Sequence, residues 1–179
     1  MATPLQLIID CGNELQLSTS FRFEAGRYRH SICLRKTSDE VLIDRWDDEP
    51  LSSDEDWPAS PPIQQLSLET IAGMPALLGV GQAGKSHWSI SVETLTQARS
   101  QPAIRFDLAC RCPAPPDWLG SSYTRQVVDG NSDAQIRLTP DVAGSRSEDG
   151  GLIICCDHER TSVKKYPATF RWSYLITAS

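Results

Sequence analysis

The sequence predicts an all-β fold: an antiparallel sandwich or flattened barrel of about ten to twelve strands. Three observations predict it. Apolar and polar residues alternate with period two along most of the chain, the mark of strands with one face on a core. Helical periodicity is scarce; the best window, SVETLTQARS, supports two turns at most and can equally continue a strand. Turn-forming residues punctuate the chain at intervals of roughly ten residues, the spacing of short strands.

Taken in order, strands are expected near 4–10, 14–24, 27–36, 40–46, 64–70, 75–82, 85–94, 103–112, 122–128, 134–139, 151–157 and 168–177. In 27–36, Tyr28, His30, Ile32 and Leu34 share a face, with Arg27, Arg29, Ser31 and Arg35 opposite. In 85–94, Trp88, Ile90 and Val92 oppose His87, Ser89, Ser91 and Glu93. In 103–112, Ile104, Phe106, Leu108, Cys110 and Cys112 oppose Arg105, Asp107 and Arg111. Phe170, Trp172, Tyr174 and Ile176 repeat the pattern in the last strand. Trp88 and Trp172 are therefore expected in the core, with Phe23, Phe106 and Phe170 beside them. Three stretches read as loops: the acidic, proline-rich 46–62, the proline-rich 112–122 and the polar, glycine-rich 140–151. The strand pattern resumes unchanged beyond each, so residues 1–179 are read as a single domain.

The 179 residues suffice for a sizeable core. With 40% hydrophobic and 22% charged residues the chain reads as globular. A net charge of -6 argues against nucleic acid or an anionic membrane surface as the main partner, since both demand clustered cations. No apolar run approaches a membrane span. The N-terminus lacks a basic start and a continuous apolar run, so no export signal is read there and a soluble, cytoplasmic protein is expected. The six cysteines (Cys11, Cys33, Cys110, Cys112, Cys155 and Cys156) are then expected as free thiols.

One motif demands a decision. GVGQAGKS, residues 79–86, has the spacing G-x-x-x-x-G-K-[ST], and Leu152–Cys156 followed by Asp157 supplies an apolar run ending in a carboxylate. On these residues the chain resembles a P-loop nucleotide-binding protein. Such a loop must open a helix so that backbone amides converge on phosphate. The residues after Lys85 are SHWSISVET, whose β-branched alternation favours a strand. The chain also contains an echo: AGRYRHSI (25–32) aligns without a gap on AGKSHWSI (83–90). The first copy reads as a strand–turn–strand hairpin over Glu24–Arg27, with Gly26 in a left-handed position of a type I turn closed by a G1 bulge. The same turn is expected at Gln82–Lys85, with Gly84 at positive φ and Lys85 as an exposed cation opening the return strand, like Arg27. The P-loop spelling is then coincidental.

Other chemistry has weaker warrants. Cys110-Arg111-Cys112 and Cys155-Cys156-Asp157-His158 supply possible metal ligands, but without the usual zinc spacings, and Cys110 and Cys156 continue apolar stripes. His30 is expected as a hydrogen-bonded core or boundary histidine, and His87 on a polar face beside a turn. No G-x-S-x-G elbow or thiol–histidine motif marks a hydrolase. The functional expectation is a binding or interaction module without catalytic motif or cofactor, its partner a protein or a small molecule. The candidate contact surface is Arg27, Arg29, Lys85, His87, Trp57 and Trp118, on hairpin faces and loops. A nucleotide-binding P-loop protein, or a metal-binding or hydrolytic β-domain, is the alternative.

Overall fold

The structure, a computed structural model, describes residues 4–49, 55–96, 101–128, 133–141, 144–148, 150–156 and 165–179. Among them are thirteen strands. They are β1 (Leu5–Gly12), β2 (Leu15–Glu24), β3 (Arg27–Lys36), β4 (Leu42–Asp48), β5 (Ile63–Ile71), β6 (Met74–Ala83) and β7 (Ser86–Leu95). Then come β8 (Ala103–Cys112), β9 (Gly120–Gln126), β10 (Ile136–Pro140), β11 (Gly144–Glu148), β12 (Gly151–Cys155) and β13 (Ala168–Ala178). The sandwich the sequence predicts is what forms. A seven-stranded sheet runs β1-β2-β3-β4-β9-β12-β11, and a six-stranded sheet runs β10-β13-β8-β7-β6-β5. Every neighbouring pair is antiparallel.

Twelve of these strands lie where the sequence expects them. The thirteenth, β11, occupies the stretch 140–151 expected as loop. Its sequence GSRSE has no apolar stripe; it is held as a strand by backbone pairing to β12, from Gly144 on Cys155 to Glu148 on Gly151.

The inward faces of both sheets share one core. Trp88 is 4% exposed and Trp172 2%; burying an aromatic of this size contributes on the order of 3 kcal/mol. Phe106 and Phe170 are buried with them, but Phe23 is not: it is 56% exposed. Phe23 shares a face with the buried Phe21, yet it lies one residue from the end of β2, where its ring meets Tyr28 edge-on at 5.2 Å.

The GVGQAGKS stretch is a β-hairpin. Ala83 pairs with Ser86, leaving Gly84 and Lys85 as a two-residue turn, with Gly84 at φ +52°. A positive φ at the first central residue alone is the type II′ pattern. In the first hairpin Glu24 pairs with Arg27, and both central residues are left-handed, Ala25 at φ +50° and Gly26 at φ +84°. That is the type I′ pattern, not a type I turn with a bulge. The two turns thus sit one residue apart in the echo. Trp88 consequently faces Gly81, whereas His30 faces Phe21. The upstream strand slips by two positions, which keeps every side chain on its face. Lys85 lies in the turn and does not open β7. Gly79 has a packing reason of its own: a Cβ there would stand 2.7 Å from Ile63 Cγ2 and 2.8 Å from both Ile90 Cγ2 and Leu66 Cδ1. Packing places Gly79 and the turn places Gly84, where a P-loop needs a helix N-terminus.

Candidate functional site

Antiparallel register lays the outward side chains of β5, β6, β7, β8 and β13 in rows that cross the strands. One row is Ser67, Leu78, Ser91, Asp107, Ser173. The next is Gln65, Val80, Ser89, Ala109, Arg171. At strand spacings of about 4.8 Å each row extends roughly 20 Å. Ser67, Ser89, Ser91, Ala109 and Ser173 are small, and the two rows form the floor of a trough of about 910 Å³, within the range of ligand sites.

Longer side chains stand in the rows beyond. On one side Glu93 faces Arg105, and on the other Gln82, His87, Arg111 and Thr169 stand in line. The second side holds an adjoining hollow of about 450 Å³.

The trough is chemically two-sided. On β6 it is apolar, with Leu78 36% and Val80 51% exposed, while β5 contributes Gln65 and Ser67. Ile71 and Met74, also exposed, extend the stripe along the same hairpin. Toward β8 and β13 it is polar. Asp107 is held by Arg105, Nε to Oδ2 at 2.9 Å, and Arg105 also reaches Asp141 at 3.5 Å. Ser173 Oγ donates to Asp141 Oδ2 at 3.0 Å. Exposed Arg171 has no ion-pair partner among the described residues.

A second polar constellation lies inside the core. His30, on β3, places Nε2 2.8 Å from the Tyr123 hydroxyl, which lies 2.5 Å from the Tyr174 hydroxyl. Phe21 stacks on His30 at 4.8 Å and Phe106 on Tyr174 at 5.1 Å. The chain of hydroxyls thereby joins the two sheets in an apolar cage. Burial pushes the imidazole below its ordinary value and both phenols above theirs. All three stay neutral near pH 7 and hydrogen-bond as neutral groups. The adjoining Asp48 carboxylate is buried, and accepts from the His30 backbone N–H at 3.1 Å. Arg27 and Arg29 flank it, each at 3.5 Å.

The six sequence-predicted contact residues do not form one surface. Arg27 and Arg29 are half-buried against Asp48, where they compensate a buried charge; Arg27 retains only 13% side-chain exposure. Trp57 packs edge-on against Trp88 at 6.2 Å. Trp118 is half-buried, and its ring fills the space beside Gly120, 2.7 Å from where a Cβ would stand. Lys85 projects from its turn. Only His87 reaches the trough system, in the smaller hollow. The trough residues escaped sequence reading because polar outward positions look alike until register aligns them; the one available signal was the density of Ser and Ala on the polar faces of β7 and β8.

Cys110 and Cys112 point inward with Sγ atoms 3.4 Å apart. Cys156 Sγ lies 3.6 Å from the Arg171 carbonyl oxygen. His158 lies outside the described residues, and among those described no set of three His, Cys, Asp or Glu side chains is arranged to hold a metal ion. His87 has Gln82 and Arg111 as cross-strand partners rather than a thiol. All six thiols are unbridged.

No protein-family model, no curated protein and no solved structure matches the chain.

Proposed function

We propose that this chain is a non-catalytic binding module that holds an extended segment of a partner protein across the outer face of its six-stranded sheet. The observation that carries this reading is the trough itself: a hollow five strands long, its floor low at Ser67, Ser89, Ser91 and Ala109. Its shape suits an elongated ligand lying across the strands. Its chemistry favours a peptide over a glycan or a nucleic acid. No Trp, Tyr or Phe side chain stands in these rows to stack a sugar or a base, and the His87 imidazole lies in the adjoining hollow. Leu78 and Val80 offer an apolar half, and Asp107 and Arg171 fix orientation at the other. The segment that fits is apolar at the β6 end and charged at the β13 end. The chain's acidic balance is compatible with a protein partner.

Selection from a display library of random peptides tests this. Peptides enriched on the protein are expected to lose binding to Ser91→Trp, which fills the floor from an outward position. Arg171→Ala should weaken those that carry a carboxylate at the corresponding end. Peptides that bind wild type and Ser91→Trp equally, or a library that yields none, would overturn the reading.

A further inference from the structure

We infer that this chain forms a symmetric dimer in which β5 pairs antiparallel with β5 of a second copy, about a two-fold axis through Ser67. The inference rests on the strand edge and not on what the trough binds.

β5 is the open edge of the six-stranded sheet. It is nine residues long, and from Ser67 to Ile71 every residue is exposed. Proteins ordinarily blunt such an edge with lysine, proline, a bulge or brevity. The edges formed by β10 and β11 do so. β10 has five residues and ends in Pro140. β11 has five residues. β1, of eight residues, has one charge, Asp10, and an irregularity between Asp10 and Gly12, much as β5 does, but of its large apolar side chains Ile8 alone is exposed, where β5 exposes Leu68 and Ile71. β5, IQQLSLETI, has one charge, Glu69, and its only irregularity lies at its start, between Ile63 and Gln65.

The occupant follows from self-complementarity, which an isologous interface requires. With Ser67 opposite Ser67 of the second copy, Leu66 faces Leu68 of that copy on one side of the joined sheet, twice by symmetry. Leu68 is 49% exposed in the single chain and would be covered. On the other side Glu69 faces Gln65 of the second copy, a neutral amide that can donate to it. Shifting the axis to Glu69 would oppose two carboxylates. Shifting it to Leu68 would set Leu66 against Thr70 and Gln65 against Ile71. Cross-strand pairing energies favour the Ser67 register. In that register the row from Ser173 to Ser67 continues into the second copy, and the two troughs meet end to end.

Sedimentation velocity from micromolar to millimolar protein provides the test. Wild type is expected to shift from monomer to dimer over this range. Gln65→Glu sets two carboxylate pairs face to face and should weaken dimerisation about tenfold; Gln65→Lys should strengthen it by about the same factor. Ser67→Pro places a ring at the axis of the pairing and should leave a monomer with an unchanged circular dichroism spectrum. If Ser67→Pro fails to fold, the two exposed Gln65 substitutions still decide the matter. A wild type that is monomeric throughout, or a dimer indifferent to both Gln65 changes, would overturn the inference.

Discussion

The imidazole of His30 and the hydroxyl of Tyr123 meet at 2.8 Å in the interior of the sandwich, 93 residues apart in sequence. The burial of His30 makes stability depend on pH. Burial is the largest cause lowering the His30 pKa, with Asp48 and Asp47 opposing it and Arg27 and Arg29 reinforcing it. A group whose folded pKa is depressed stabilises fully above its unfolded value, about 6.5, and that stability is lost as pH falls through the interval below it. Urea melts between pH 8 and pH 5 should therefore show stability falling by up to about 1.4 kcal/mol per pH unit below about 6.5. His30→Leu should remove that part of the slope. A slope unchanged in His30→Leu would contradict the assignment.

Tyr123 links His30 to Tyr174, so the three groups should behave as one unit. Tyr123→Phe leaves the buried His30 Nε2 without its partner and the Tyr174 hydroxyl with Ser121 alone, at about 1–3 kcal/mol. Tyr174→Phe should cost a similar amount, and the double variant less than the sum, because the second loss breaks a network already broken. Additive costs in chemical denaturation would show that the hydroxyls act independently. The raised phenol pKa values add an alkaline limit: stability is complete below about pH 10 and is lost as pH rises above it.

Within the GKS-like stretch the backbone reading ranks three substitutions. Gly79→Ala drives a methyl into Ile63, Ile90 and Leu66 and should cost about 1–3 kcal/mol. Gly84→Ala should cost about 1 kcal/mol or more, since its φ is +52° and the Asp56 side chain occupies the space a Cβ needs. Lys85→Ala should change stability by less than about 0.5 kcal/mol. A lysine-dependent rise in melting temperature with magnesium-nucleotide would reverse this ranking's meaning and restore the P-loop.

Burial raises the pKa values of Cys110 and Cys112, and both side chains are fully covered. Neither should react with a thiol reagent in the native protein near pH 8, because the thiolate is the reactive form. All six thiols should be counted in denaturant without reductant. Four or fewer under those conditions would mean a bridge.

The strands were legible because alternation marks them one at a time. Trp88 and Trp172 are core residues for the reason their stripes implied, and His30 is the hydrogen-bonded core histidine its apolar face suggested. Phe23 shows the limit: period two assigns a face but not how far the opposite sheet extends over it. β11 was illegible because backbone pairing alone holds GSRSE in place. Arg27 looked like an exposed cation because its partner, Asp48, lies on another strand. The His30–Tyr123–Tyr174 chain and the trough were hidden for the same reason. Each exists only once register brings separate segments together, and no local pattern encodes register between distant strands.

The central claim is that binding occurs on the outer face of the six-stranded sheet and not at the loop tryptophans or the hairpin cations. Backbone amide chemical shifts, recorded while a display-selected peptide is titrated in, test it most directly. Shifts are predicted to concentrate at Ser67, Leu78, Val80, Ser89, Ser91, Ala109 and Arg171, with Lys85, Trp57 and Trp118 unmoved. Shifts clustered around Trp57, Trp118 and the Gly84–Lys85 turn, with the trough silent, would contradict it.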